Sequence, residues 1–301
     1  MRRSVNGILL LDKPAGMTSN GVLQCVKRLY SAKKAGHTGS LDPIATGMLP
    51  ICFGEATKFS QFLLDSDKTY HVVATLGERT TTGDTEGEVV EKRPLVDITK
   101  ERIEAIMQEF IGDIDQVPPM YSAIKVNGQA LYHLARRGIE IERQARRIHI
   151  FSLTFLSLDD NALTFRVHCS KGTYVRTLVE DIGEKLSCGA HVRDLRRERV
   201  MPYETSAMMT LPVLQAIAES SGMMGLDACL LPVETAVNIF PAVQLSASAA
   251  FYLRMGQAVR STLPLNATYV RLMSEDGKFL GMGEVLPDGR VKPSRLLSTQ
   301  G

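Results

Sequence analysis

The spacing of apolar residues changes several times along the 301-residue chain, and each change marks an element. Ile8 to Leu11 form an unbroken apolar run closed by Asp12 and Lys13, which predicts a short buried strand. After the turn "KPAGMT", Val22, Leu23, Val26 and Leu29 recur at helical intervals, with Ser19 placed to cap the helix. A glycine- and proline-rich loop follows. Beyond it "LPICFG" reads as a strand, and residues 55–64 as a helix with Phe59, Phe62 and Leu63 turned inward. Tyr70, Val72, Ala74 and Leu76 alternate, as in a half-buried strand. "GDTEGEVVE" is a polar turn leading into another strand. Residues 99–110 put Ile103, Ile106, Met107 and Phe110 on one helical face. "RRIHIFSLTFLSL" and "ALTFRVHCS" are neighbouring strands joined by "DDNA". "TYVRTLVEDIGEKL" is an amphipathic helix whose apolar face is Val175, Leu178, Val179, Ile182 and Leu186.

Two stretches stand apart from this mixed α and β pattern. Residues 116–147 are rich in Pro, Gly and Arg, and their one short helix, "ALYHLARRG", ends at Gly138 in the manner of a C-cap. They read as an inserted arm. After "VNIFPAVQLS" come a helix, "SAAFYLRMGQAV", and short strands with the hairpin signals "SEDGKF" and "LPDGRV". The expected organisation is one domain over 1–244 that carries the arm at 116–147, and a compact β-rich module over 245–301. A chain of this length suits about two domains.

Composition narrows the class. Hydrophobic residues make up 44% and charged residues 23%, ordinary for a soluble globular protein. No apolar run approaches the roughly 20 residues a membrane helix needs, and the apolar start is too short for a signal peptide. The five cysteines are scattered and odd in number, without a C-x-x-C, which suits reduced thiols in a cytoplasm. "HC" at 168–169 and "CGAH" at 188–191 lack paired-ligand spacing, so no metal is expected. The net charge is only +2. Even so, Lys27, Arg28, Lys33 and Lys34 form one basic group, Arg136, Arg137, Arg143, Arg146 and Arg147 a second, and Arg193, Arg196, Arg197 and Arg199 a third. Each alone reads as a solvated face; three together favour an anionic track such as an RNA backbone.

The candidate chemistry lies in "GHTGSLDPIATGMLP", where a single carboxylate, Asp42, sits among glycines and prolines. It either orders the turn or is held still for a task. In "CSKGTYVRT", Arg176 falls in the first turn of a helix. If buried, its planar fork would suit a lone buried carboxylate.

These residues carry a resemblance. "GHTGSLDPIATGMLPICFGEATKFSQFLLDSDKTY" resembles the catalytic motif of the bacterial tRNA pseudouridine-55 synthases, the TruB-type pseudouridine synthases. "LLLDKPAGMTSN", "GDTEGEV", "VPPMYSAIKVNGQALYHLARRG", "CSKGTYVRTLVEDIGEKLSCGAHV" and "LRR" resemble the family's other blocks in order, over residues 8–200. The resemblance implies an α+β pseudouridine synthase fold, with a mixed, largely antiparallel sheet flanked by helices, and a small C-terminal barrel-like domain of the PUA type. It implies isomerisation of the T-arm uridine at tRNA position 55, by breaking N1–C1′ and rejoining through C5. No cofactor or metal is implied. It makes Asp42 the catalytic aspartate, attacking C1′ or removing a C2′ proton, with Arg176 as its partner. Tyr70 is implied to stack on the base and assist loss of the C5 proton, His37 to fill the gap left by the extruded base, and Tyr174 and Leu195 to line the uracil pocket. The partner is tRNA, with no membrane and no protein partner, and the chain is expected to be a cytoplasmic monomer.

A lone carboxylate suits this chemistry. Breaking a glycosidic bond builds positive charge on the sugar, which a fixed carboxylate stabilises. A hydrolase would need a second group to activate water. The contrasting reading is an RNA-binding or RNA-folding module without catalysis, which has no need of Asp42, Tyr70 and Arg176 together. A zinc nucleobase deaminase would need H-x-E and P-C-x-x-C elements, which this chain lacks.

Overall fold

The computed structural model describes residues 2–122, 124–126, 128–205, 208–260 and 267–298. The apolar run becomes strand β1 (Gly7–Lys13), followed by helix α1 (Ser19–Leu29). Strands β2 (Ala35–His37) and β3 (Thr46–Phe53) flank the glycine-rich loop. Then come helix α2 (Ser60–Leu64), β4 (Lys68–Leu76), the hairpin β5 (Glu78–Thr80) and β6 (Val89–Lys92), and helix α3 (Lys100–Gln108). The next elements are β7 (Gly112–Gln116), the small pair β8 (Lys125–Val126) and β9 (Gln129–Ala130), and helix α4 (Leu131–Ala135). Long strands β10 (Arg146–Asp159) and β11 (Ala162–Cys169) lead to helix α5 (Val175–Lys185), β12 (Ala190–Val200), β13 (Met209–Thr210) and helix α6 (Leu211–Ala228). The C-terminal module is β14 (Ala242–Leu245), helix α7 (Ala247–Arg254), β15 (Val259–Arg260), β16 (Tyr269–Ser274), β17 (Phe279–Val285) and β18 (Arg290–Leu296).

Among the described residues the main sheet runs β13-β1-β3-β12-β4-β11-β10-β7, with β2 added beside β3. Two pairings, β1 with β13 and β3 with β12, are parallel and the rest antiparallel, the mixed sheet expected. The alternating residues of β4 put Tyr70, Val72, Ala74 and Leu76 into one core with α3 and α5. That core is continuous with Leu41 and Ala45 from the glycine-rich loop, so the loop is anchored to the densest part of the fold. No described helix is long and apolar enough to cross a membrane.

The segment 116–147 leaves from the end of β7 and returns on β10, where Arg146 pairs with Gln116 and Arg147 with Asp115. It is an excursion between two neighbouring strands, and Gly138 (φ +69°) turns the chain after α4 as expected. Both hairpin signals form, joining β16 to β17 and β17 to β18. The C-terminal sheet takes up β14 by parallel pairing with β16, so it begins at Ala242, slightly ahead of the expected start. It packs on the first domain through Phe59 against Phe279 (ring centroids 5.4 Å apart) and Phe62 against Tyr269 (5.5 Å), with Phe240, just ahead of the sheet, edge-on to Phe62 and Tyr269 (5.3 and 6.2 Å).

Several local expectations change. Thr18 caps α1 by accepting from the Gly21 N–H at 3.0 Å; Ser19 is the first helical residue and its hydroxyl turns to Leu41 instead. Residues 55–64 are not one helix. A 3-10 turn, Gly54–Lys58, is separated from α2 by Phe59, whose ring is drawn into the core at the break. The third basic group is only partly a surface track: Arg193 is exposed, Arg197 is buried, Arg196 pairs with Asp12 at 2.7 Å, and Arg199 pairs with Glu204. Charge alone suggested a surface run. The two-residue period of β12 decides otherwise, sending Leu195 and Arg197 inward together.

Candidate active site

The loop 38–45 is held by side chains from three elements. Ser19 brackets Leu41, accepting from its N–H at 2.8 Å and donating to its carbonyl at 2.9 Å. Lys13, fully buried, donates from Nζ to the carbonyls of Pro14 (2.8 Å), Pro43 (3.2 Å) and Ala45 (2.7 Å). Burial brings the Lys13 ammonium down to about 8, opposed by the charge of Asp42. Arg197 donates from Nε to Met48 O (2.7 Å) and from Nη2 to Gly39 O (3.0 Å). Gly47 (φ +98°) lies so close to β12 that a Cβ would run into the Arg197 carbonyl, so only glycine closes the loop there. The backbone carrying Asp42 is therefore fixed along most of its length.

Arg176 arrives from the first turn of α5. Tyr174, the N-cap residue, makes no side-chain cap; the buried Gln116 amide serves the same backbone instead. Its Oε1 accepts from Tyr174 N–H at 2.7 Å and its Nε2 donates to Tyr174 O at 3.1 Å. Arg176 then meets Asp42 side-on, Nε to Oδ2 at 3.0 Å and Nη2 to Oδ1 at 3.4 Å. Its Nη1 lies 3.4 Å from Asp84 Oδ2 and donates to Thr82 O at 2.8 Å, and Nη2 donates to Tyr121 O at 2.6 Å. Asp84 in turn accepts from Thr82 Oγ1 (2.5 Å) and the Glu86 N–H (3.1 Å). One guanidinium thus serves two carboxylates and two carbonyls.

Exposure separates the two carboxylates. The Asp84 side chain is 2% exposed and that of Asp42 is 37%, so Asp42 is fixed yet reachable. Burial pushes the Asp42 carboxyl above the ordinary carboxylate range; Arg176 opposes this and Asp84 adds to it.

The other expected residues gather around this pair. Tyr70 is buried on β4 directly opposite Arg197 of β12, with Leu195 opposite Val72 beside it. Burial pushes the Tyr70 phenol up, with Arg197 opposing. Tyr174 is half-buried, and burial pushes its phenol up too. His37 ends β2 at the entrance to the loop. Burial and Arg197 push its imidazole down, and its buried Nδ1 has no hydrogen-bond partner among the described residues. Asp84, Gln116, Lys13 and Arg197 were missed by pattern reading. Only Arg197 left a local signal, its place in step with Leu195 on an inward strand face.

A cavity of about 400 Å³ lies elsewhere, between α2 and the C-terminal module, with Phe62, Phe240 and Tyr269 in its wall. Asp65, a half-exposed carboxylate in its wall, pairs with the exposed Lys171 and not with a buried arginine, which makes the glycine-rich loop the better candidate for chemistry.

The mixed sheet flanked by helices, with a small β-rich module beyond it, has the fold of a pseudouridine synthase. The chain belongs to the TruB family of these enzymes. Residues 27–175 match the TruB family pseudouridylate synthase N-terminal domain, 176–238 the tRNA pseudouridylate synthase B C-terminal domain, and 241–297 the C-terminal domain of pseudouridine synthase II TruB. The tRNA pseudouridine synthase B of Coxiella burnetii (strain Dugway 5J108-111) is 54% identical over 98% of this chain and 96% of its own. That of Stutzerimonas stutzeri (strain A1501) is 52% identical over 100% and 98%. Among solved structures, a chain of a Cbf5-Nop10-Gar1 complex is similar, with a TM-score of 0.76 and 26% identity, covering 96% of this chain and 84% of that one.

Proposed function

We propose that this enzyme converts the T-arm uridine at tRNA position 55 to pseudouridine, with Asp42 as its catalytic carboxylate. The observation that carries the reading is the Asp42–Arg176 pair, a carboxylate held side-on by a 7% exposed arginine while 37% of its own side chain stays open. A pure RNA binder gains nothing from a half-exposed anion where phosphates approach, so the pair favours chemistry over binding alone. The names of the similar proteins, tRNA pseudouridine synthase B, support tRNA as the substrate class.

The residues divide the work as follows. Arg176 keeps Asp42 ionised and aimed, and the carboxylate stabilises positive charge at C1′ as the N1–C1′ bond breaks. Tyr70 and Leu195 wall the base pocket, Tyr70 stacking on the freed uracil and aiding loss of the C5 proton, with Tyr174 at its rim. His37, held neutral by burial, stands where the extruded base leaves its stack, and RNA satisfies its open Nδ1. No atom is lost: the base leaves through N1, returns through C5, and exchanges one proton. We read the enzyme as a monomer acting in the cytoplasm, the compartment that holds tRNA.

Mass mapping of pseudouridine in tRNA from cells lacking this gene is the test. Loss confined to the T-arm uridine is expected; an unchanged T-arm would overturn the assignment.

A further inference from the structure

Among the described residues Arg197 is the largest fully buried side chain, 1% exposed. A buried cation ordinarily sits against a carboxylate. No described carboxylate oxygen lies within 4 Å of this one; its recorded acceptors are the carbonyls of Met48 and Gly39. Those carbonyls bracket the loop that carries Asp42, one before it and one after. Arg197 is also the register partner of Tyr70 across β4 and β12, so the two side chains leave the sheet on one face. Arg197 therefore joins the loop that carries Asp42 to the strand position of Tyr70 without being neutralised by a described acid.

We propose that Arg197 is a positioning residue for the isomerisation, tying the loop that carries Asp42 to the strand face that presents Tyr70 and favouring the ionised Tyr70 oxygen that then accepts the C5 proton. The inference rests on the roles given above to Asp42 and Tyr70. In the step concerned the Tyr70 phenol gives up its own proton to water, the C5–H bond of the rejoined base breaks, and the C5 proton goes to the Tyr70 oxygen. The electron pair enters the ring, and N1 takes up a proton from water, so nothing is oxidised or lost. A buried phenol resists ionisation, and a neighbouring unpaired cation offsets that resistance.

Two variants test this on the full chain. Arg197→Met replaces an unpaired buried cation by an apolar side chain of similar length, a change expected to leave the fold intact. Arg197→Lys keeps the charge but not the fork. Each is assayed on a T-arm stem-loop carrying either uridine or 5-deuterouridine, beside its melting temperature. For Arg197→Met, kcat should fall by about 10²-fold or more with KM within about threefold. The deuterium effect on turnover should rise above that of the wild type, because C5–H cleavage becomes slow. Arg197→Lys should recover part of both. A folded Arg197→Met with wild-type turnover, or with lost turnover and an unchanged deuterium effect, would overturn the proposal. So would two variants that fail to fold, which would assign Arg197 to the fold alone. A wild-type protein inactive on the stem-loop would instead overturn the proposed function.

Discussion

At the residue scale, Asp42 and Asp84 share Arg176 but differ in what they can reach. Only Asp42 combines a fixed backbone with an open carboxylate edge, so only its charge is available to a sugar. Asp42→Asn keeps the size and loses the charge. Pseudouridine formation should fall by at least about 10³-fold while RNA binding changes by less than about threefold, because the interaction is made in the transition state. Single-turnover kinetics beside a binding titration checks this; near wild-type turnover in the folded variant would refute the catalytic role. Stability should survive. A carboxyl whose folded pKa is raised contributes stability below its unfolded pKa, and that contribution is lost as pH rises through the folded value. At neutral pH the Asp42 charge therefore does not hold the fold together, and Arg176 keeps Asp84 and two carbonyls in the variant. The same shift sets a pH expectation. The ionised form is the active one, so kcat/KM should decline with acidification around a midpoint above the ordinary 3.8 of an aspartate. A midpoint at or below that value would show that burial does not govern the group.

At the element scale, the arm is wired into the site at its base. Gln116, at the end of β7, clamps the N-cap backbone of α5, and the Tyr121 carbonyl accepts from Arg176 itself. Gln116→Ala leaves the half-buried Tyr174 N–H unserved, while its carbonyl keeps the Leu178 N–H, a loss of about 1 kcal/mol. It should also lower kcat/KM about tenfold, since Arg176 sits in the turn so loosened. Thermal melts with steady-state kinetics check both, and unchanged values in both would remove Gln116 from the site. Hydrogen exchange should show the arm's two parts behaving differently. Backbone near Tyr121 should be protected without RNA, whereas α4, which is short and whose neighbours are largely exposed, should gain protection only when RNA binds. Equal protection of α4 in both states would count against closure of the arm on substrate. Element prediction followed periodicity closely. The alternation from Tyr70 to Leu76 and the helical faces of 99–110 and α5 were legible because one side of each is buried in a common core. Strand β12 and helix α6 were not. β12 carries charged residues on both faces, and α6 bears long apolar residues beyond a single stripe, with Met224 85% exposed, so neither shows a clean period.

At the scale of the whole molecule, the C-terminal module is joined to the synthase domain by an aromatic seam. Phe59 and Phe62 meet Phe279, Phe240 and Tyr269 there, and Lys58 donates to Leu296 O at 3.0 Å. Ending the chain after residue 240 strips Phe279 and Tyr269 from the seam. Each aromatic pair lost is worth about 0.5–1.5 kcal/mol beyond its buried area, so the melting temperature should fall by several degrees. RNA affinity should weaken, yet turnover of a saturating T-arm stem-loop should persist, because every residue of the proposed site lies ahead of the cut. A folded truncation inert on saturating stem-loop would place the module in the chemistry. What the sequence by itself determined was local: strand and helix periods, the two hairpin turns, and the blocks that place Asp42, Tyr70 and Arg176 in a family. Tertiary structure alone decided which charges are spent inside. Lys13, Asp84, Gln116 and Arg197 are polar residues that pattern reading assigns to the surface or leaves unassigned: Lys13, Gln116 and Arg197 serve backbone carbonyls and amides, and Asp84 serves the Arg176 guanidinium, partners brought near by the fold. A carbonyl has no signature in a sequence, so a side chain that exists to hold one cannot be read until the chain has closed around it.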